Sequence, residues 1–347
     1  MRNQTNSGLK RSAATLRDVA EMAQVSTSTA SRILHGGAIR VSDDTRARVV
    51  QAAESLRYRP NTLARSLRTK VTRTVGFLIP DIQNPVYAQM IAGAEEAAQA
   101  QGYALLLMNS SSGERRRAFI ELLVEDRLDG LIIADATIDD QWIHRLQASG
   151  RTFVLVNRRA RGNAPYVVLD DQGGSALAIQ HLLDLGHRTI AYLAGPPGVE
   201  TAEQRFEGAL KRCQEAGLPL PPTRVASCGF NGEGVAAAVD RFFSETPEIT
   251  GIATANIVIA FAAVQRLEAR GLRIPSDVSV VGFHETPMAT YVSPGVTTVE
   301  MPLMELGRRA MLNLLDQIAG IPVRNEVITD PKPRIVQRHS TGTPRTS

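Results

Sequence analysis

Among the 347 residues, the groupings able to do chemistry are few. They are the adjacent carboxylates Asp170–Asp171, the imidazole of His187, the loop AGPPG at 194–198, the thiols of Cys213 and Cys228, and a concentration of Arg and Lys near the N-terminus. Paired carboxylates can run acid–base chemistry or hold a metal. No partner ligand accompanies this pair, which opens a helix at Gln172 and reads as cap and dipole partner. His187, in LGHRTI, precedes a strand and has no nucleophile motif beside it, so it reads as a structural turn residue. The AGPPG loop lacks the GxGxxG or Walker spacing of a phosphate cradle. The two cysteines have no metal-ligand spacing, make no disulfide framework and fit a reducing compartment. The sequence therefore predicts no catalytic residue, no metal and no cofactor.

What remains is charge. Residues 1–70 carry 13 Lys/Arg against 5 Asp/Glu, a balance of +8, while the other 277 residues carry 26 against 30. A basic module on a mildly acidic body points to a polyanion partner for the module alone. The polar opening MRNQTNSGLKRSAA has no apolar core for secretion, and IATANIVIAFAAV (252–264) is too short to cross a bilayer. The expected location is the cytoplasm, in association with the nucleoid.

The elements that would position a polyanion site are short helices. Residues 1–14 read as a disordered tail. Thr15 and Asp18 form a capping box ahead of an apolar face of Leu16, Val19, Ala20 and Ala23. Gln24–Val25 make a turn. Ser26 starts a second helix with Ala30, Ile33 and Leu34 inward, stopped by His35–Gly36–Gly37. Ser42 caps a third, whose apolar positions include Val49, Val50, Ala53 and Leu56. After Pro60, TLARSLRTK (62–70) is a basic piece too short to be a stable helix alone. From Thr72, apolar strands alternate with helices. Strands are expected at 75–80, 103–108, 130–135, 152–157, 166–170, 189–195, 224–230, 251–256 and 278–283. Helices are expected at 85–101, 114–127, 172–185, 201–216, 233–245 and 257–270. Strands apolar throughout imply parallel sheets covered on both faces, and their number implies two lobes with a cleft beyond the strands' carboxyl ends.

TLRDVAEMAQVSTSTASRIL (15–34) and VSDDTRARVVQAAESLRYRPNTLARSLR (41–68) resemble the lac repressor/purine repressor (LacI–GalR) family of bacterial transcriptional regulators. IPDIQNPVYAQMIAGAEEAAQAQGY (79–103), DGLII (129–133), LDDQGGSALAIQHLLDLGHRTIAYLAGP (169–196), RFEGAL (205–210), GLRIPSDVSVVGF (271–283) and SPGVTTVEMPLMELGRRA (293–310) follow in the family's order. The resemblance implies an all-α helix-turn-helix DNA-binding domain (15–60), a hinge helix (61–71) and an α/β periplasmic-binding-protein-like domain (72–340). That domain would have two doubly wound parallel-sheet lobes, for ligand binding and dimerisation, with lobe crossings near 170, 297 and 325. RHSTGTPRTS (338–347) looks frayed, and 341–347 is expected to be a flexible tail.

The resemblance assigns base reading to Thr27, Ser28 and Arg32. The chemistry agrees, since Arg can give guanine O6 and N7 two bonds and Thr or Ser suits several base edges. Ser26, Thr29, Ser31, Ser42, Thr45, Tyr58 and Asn61 would touch phosphates, Ser26 and Ser42 also serving as caps. In the family the hinge helices of two subunits pair in the minor groove. Ala64 would permit their approach, and Leu67 would wedge between base pairs or, alternatively, be a linker leucine. One helix-turn-helix reads half a site, so a homodimer on a pseudo-palindromic DNA operator is expected.

The resemblance also places Tyr87, Asn157, Arg158, Arg205, Phe230, Asn256 and His284 in the ligand cleft. His284 stands where the family commonly has Asp, and Asn256–Ile257 where it often has Asn-Asp. Losing two acidic acceptors while keeping Arg158 and Arg205 favours an anionic effector, and the histidine resembles gluconate-type members. Glu285 could restore an acceptor and so a neutral sugar. The expected function is a ligand-responsive, sequence-specific transcriptional regulator, a repressor of genes for sugar or sugar-acid use. The alternatives are a solute-binding receptor without a DNA role and an enzyme on a doubly wound fold.

Overall fold

The computed structural model describes residues 14–34, 39–58, 71–110 and 112–345. The chain divides into two compact units, Met1–Thr72 and Arg73–Ser347.

The first unit is three helices: α1 (Leu16–Met22), α2 (Thr27–Leu34) and α3 (Asp43–Ser55). Each start has a local cause. Thr15 accepts from the Asp18 amide while the Asp18 carboxylate takes the Thr15 amide, closing the expected capping box. The turn into α2 puts Gln24 at φ 52°, and Ser42 caps α3 by accepting from the Thr45 amide. Val19, Ala20 and Ala23 of the first helical segment meet Ala30 and Ile33 of α2 and Val49, Ala52 and Ala53 of α3 in a small buried core. Val50, expected inward, is 42% exposed, because it sits beside the α3 stripe formed by Val49, Ala52 and Ala53.

The second unit holds two sheets of six strands. The first lobe is built from β1 (Thr74–Ile79), α4 (Val86–Ala100), β2 (Ala104–Asn109), α5 (Gly113–Val124), β3 (Gly130–Ile133), α6 (Gln141–Ala148), β4 (Phe153–Val156) and β5 (Tyr166–Leu169). The second has α7 (Asp171–Asp184), β6 (Ile190–Ala194), α8 (Glu200–Glu215), β7 (Val225–Ser227), α9 (Val235–Glu245), β8 (Gly251–Thr254), α10 (Ile257–Ala269), β9 (Ser279–Phe283), α11 (Met288–Tyr291) and β10 (Thr297–Glu300). The chain returns to the first lobe as α12 (Leu303–Ile318) and β11 (Glu326–Ile328), then ends in the second as β12 (Arg334–Val336). Strand order is β11-β5-β4-β3-β1-β2 in one sheet and β12-β10-β9-β8-β6-β7 in the other. All pairings are parallel except β10–β12. The two lobes are the same doubly wound design used twice.

The chain crosses between lobes after Leu169, between Glu300 and Leu303, and between Ile328 and Arg334; the last two lie slightly beyond the positions near 297 and 325. Central strands β3, β4, β6, β8 and β9 are buried throughout. β2, apolar in sequence, is an edge strand with Leu106 40% exposed. α4 and α12 pack backbone to backbone: a Cβ on Gly93 would lie 1.9 Å from the Met304 carbonyl oxygen, and one on Gly307 1.8 Å from that of Met90.

The C-terminal segment corrects the expectation of a flexible tail from 341. Ser340 is fully buried, its carbonyl accepting from the Val280 amide of β9 at 2.8 Å. Thr341 bonds His181 Nε2 at 3.0 Å, and the Gly342 carbonyl accepts from His187 Nε2 at 2.9 Å. Arg345 donates to the Pro247 carbonyl at 2.7 Å. Small hydroxyl residues tie this stretch down by hydrogen bonds rather than by apolar burial, which is why its composition resembles a frayed end. His187 takes the structural role expected of it, its Nδ1 accepting from the Thr250 hydroxyl at 2.9 Å.

Candidate functional site

Two surfaces hold the residues singled out by sequence. In the first unit, α2 presents Thr27, Ser28 and Arg32 to solvent on one side, while Ala30 and Ile33 fix its other side in the core. The Ser26 hydroxyl is 2.8 Å from those of both Ser28 and Thr29 and accepts from the Thr29 amide at 3.1 Å. Ser42 and Thr45 pair in the same way at 2.9 Å. These hydroxyls cap helices and stand exposed or half-exposed. Tyr58 is half-buried and closes the C-terminal end of α3, its amide donating to the Ala53 carbonyl at 2.8 Å. Ser31 is turned inward beside Ala30 and Ile33, which leaves little of it for a phosphate and sets it apart from the other proposed contacts. Asn61, Ala64 and Leu67 lie outside the described residues.

In the second unit, all seven expected cleft residues line one pocket at the carboxyl ends of the strands: Tyr87, Asn157, Arg158, Arg205, Phe230, Asn256 and His284. Asn84, Val86 and Thr201 also line it and were not singled out by sequence, since nothing in their local pattern differs from an ordinary helix start. The free space between these side chains is about 10 Å³, room for roughly one water, so a larger guest enters only when the lobes part.

Asn157 and His284 occupy matching places, each the residue after an interior strand, β4 in one lobe and β9 in the other. Both have left-handed backbones, φ 66° and 77°. Non-glycine residues held there cost about 1–3 kcal/mol each, and such strain gathers at functional sites. Phe230 is seated by two devices. Its carbonyl accepts from Asn256 Nδ2 at 2.9 Å, and Gly195 leaves the space its ring fills, a Cβ there falling 2.4 Å from the ring. The AGPPG loop thus makes room for an aromatic ring. Asn256 is also committed on its other side, capping α10 through the Ile259 amide at 2.8 Å.

The charges are less free than the sequence implied. Arg205 is buried and ion-paired with Asp171, Nε to Oδ1 at 2.7 Å. It also donates to the Ala255 carbonyl at 2.9 Å and meets His284 Nε2 at 3.3 Å. Its guanidinium lies 4.4 Å over the Phe283 ring. Asp170 is the helix cap, accepting from the Gly173 amide at 2.9 Å. The sequence reading gave Asp171 the same capping role, but this carboxylate holds Arg205. Burial, working against the nearby Arg205 charge, pushes Asp171 up to about 6. Burial, reinforced by Arg205, holds His284 well below the usual imidazole range, so it is neutral at physiological pH. Arg158 reaches the Tyr87 hydroxyl at 3.3 Å and lies 5.7 Å over the Phe230 ring. No carboxylate among the described residues stands within ion-pairing distance of it. Glu285 faces away from the cleft chemistry: Arg338 grips it at 2.6 and 2.8 Å, and Thr298 donates to it. Buried and without a hydrogen-bond partner are Asn157 Oδ1, Arg158 Nε and His284 Nδ1.

No group of three or more His, Cys, Asp or Glu able to hold a metal occurs among the described residues, and no helix there is long and apolar enough to cross a membrane.

Comparison with known proteins agrees with both units. Residues 15–61 match the model for bacterial regulatory proteins of the lacI family, and residues 72–339 match that for periplasmic binding proteins and the sugar-binding domain of the LacI family. The repressor PurR of Aliivibrio fischeri (strain MJ11) is 30% identical over 94% of this chain and 98% of its own length. The ribose operon repressor of Halalkalibacterium halodurans is 34% identical over 89% and 92%. The lac repressor dimer bound to operator and the anti-inducer ONPF superposes with a TM-score of 0.83 at 26% identity, covering 95% of this chain and 99% of that one. The chain therefore belongs to the lacI family of bacterial regulatory proteins, as a DNA-binding transcriptional repressor with a sugar-binding-type body.

Proposed function

We propose that this repressor acts as a homodimer on a pseudo-palindromic operator and that its effector is a small polyhydroxylated acid held between the lobes. The observation that carries the acid is the charge balance of the cleft. Arg205 and Asp171 cancel, His284 is neutral, and Arg158 is left as a buried cation without an ion-pair partner among the described residues, the buried Asp135 acting on it only at longer range and being itself paired with Arg116. Removing such a cation from water without an anion is costly, and a guest carboxylate offsets that cost with charge-assisted bonds. Asn157 Oδ1 supplies an acceptor for a hydroxyl, and the Tyr87 and Phe230 rings supply the faces on which a carbon chain or ring packs. The dimer is supported by the two-subunit arrangement of the lac repressor on its operator and by the two-fold logic of half-site reading.

α2 supports the DNA reading by its exposed Thr27, Ser28 and Arg32. The effector test is thermal unfolding of the full chain with D-gluconate, D-galactonate and D-glucuronate, each against its neutral parent sugar. At a hundred times Kd a bound acid adds about 2.7 kcal/mol to the folded state. The proposal expects at least one acid to raise Tm by several degrees and its parent sugar to leave it unmoved. Stabilisation by neutral sugars alone contradicts it.

A further inference from the structure

The AGPPG loop meets the first lobe at the rim of the cleft. Gly198, at φ 75°, turns the chain, and its carbonyl accepts from the Ile138 amide at 3.3 Å. Two residues on, Glu200 takes the side chain of Arg159. Arg159 Nε donates to Glu200 Oε1 at 2.7 Å, Nη2 donates to the same oxygen, and the Arg159 amide donates to Oε2 at 3.3 Å. This ion pair joins the two lobes. Arg205–Asp171 and Arg338–Glu285 lie within the second lobe, and Arg116–Asp140 and Arg309–Glu326 within the first. The Glu200 side chain is only 13% exposed and that of Arg159 37%, so the pair is screened less than one on the open surface.

Each half is held by its own lobe. The Arg159 guanidinium lies 5.6 Å over the Tyr166 ring of β5. Arg161 ties the loop after β4 to the loop after β3: its amide donates to the Ile138 carbonyl at 2.7 Å, and its side chain pairs with Asp139 at 2.6 Å. Residues 138–140 and 159–161 therefore form one lip, and 198–200 form the other. The lips adjoin the pocket in sequence, since Arg159 follows Arg158 and Glu200 precedes Thr201. A guest larger than water passes only when they part.

We propose that Arg159 and Glu200 latch the empty cleft shut, so that a charge pair at the rim sets how often the lobes open. Neither residue lines the pocket. The pair acts on the balance between open and closed lobes, not on recognition of the guest. The apparent affinity of any effector falls with the fraction of chains that stand open, so the latch tunes the response whatever the effector is. Glu200 also opens α8, where a carboxylate suits the helix dipole, so Arg159 is the residue to vary.

The test needs no effector, so it fails separately from the acid reading. Trp142, the single tryptophan of the chain, stands directly behind the first lip, its amide donating to Asp140 at 3.0 Å. Glu203, exposed in the first turn of α8, stands behind the second. A dansyl-type label on Glu203→Cys accepts energy from Trp142, while Cys213 and Cys228 are buried and stay unlabelled. Transfer in the labelled full chain then reads the separation of the lips. It should be highest with Arg159 or Arg159→Lys, lower in Arg159→Gln, and lowest, by about twofold, in Arg159→Glu, which sets carboxylate against carboxylate. Sodium chloride at 1 M, where the screening length is about 3 Å, should lower transfer in the Arg159 chain and leave Arg159→Gln unmoved. Equal transfer with Arg159 and with Arg159→Glu overturns the latch. Equal losses in the Lys, Gln and Glu variants, insensitive to salt, also overturn it and leave Arg159 a packing role against Tyr166.

Discussion

At the scale of single residues, the cleft is a set of polar side chains most of which are bound to one another before any guest arrives. Asp171 shows the consequence for pH. Its carboxyl sits at about 6 in the folded chain, against 3.8 for the unpaired group, because burial outweighs its pairing with Arg205. The groups acting on it are Arg205, then Glu200 and Asp170, with neutral His284 on the far side of Arg205. A raised pKa means the folded state holds a proton the unfolded state lacks between those values. The contribution to stability is full below 3.8 and is lost as pH rises through 6. Denaturant unfolding of wild type and Asp171→Asn at pH 5 and pH 7.5 should therefore diverge. Raising the pH should cost the wild type about 1.4 kcal/mol more than the variant, one pKa unit's worth. Parallel behaviour of the two would contradict the assignment. The sequence could name the seven cleft residues only through resemblance. It could not show that Arg205 is neutralised, since Asp171 stands 34 positions away and looks like the helix cap that Asp170 is. It likewise could not show that Glu285, next to His284, spends its carboxylate on Arg338.

At the scale of elements, periodicity carried most of the reading. The capping box at Thr15 and Asp18, the turn at Gln24 and the alternation of strands and helices from Thr74 to Phe283 all follow from local pattern. Tail and edge were harder. Residues 338–345 have the composition of a loose end, yet their hydroxyls and carbonyls complete buried networks with His181, His187 and Ser279. Partners so distant in sequence leave no local signature. α12 depends on a similar long-range fit. Gly93 and Gly307 bring it against α4 with no room for a Cβ on either side. Gly307→Ala would meet the Met90 carbonyl, a backbone atom that cannot swing away. Its cost belongs at the upper end of overpacking, about 3 kcal/mol, despite the better helix propensity of alanine. Urea unfolding of the full chain measures it; a neutral or stabilising Gly307→Ala would show that the two helices are not in backbone contact.

At the scale of the whole molecule, charge and shape divide the work. In the proposed function the basic first 70 residues provide sequence-independent attraction that weakens steeply with salt, and the exposed side chains of α2 provide the choice among sequences. The two-lobed body supplies the cleft in which the proposed effector is held. The most direct test is a titration of the full chain against a duplex selected from a random library and against its scrambled counterpart, at one fixed near-physiological salt concentration. The account predicts that selection returns a two-fold symmetric sequence, bound at least a thousandfold more tightly than the scramble, with Arg32→Ala removing most of that preference. Equal, salt-sensitive affinity of the unaltered chain for both duplexes would contradict it.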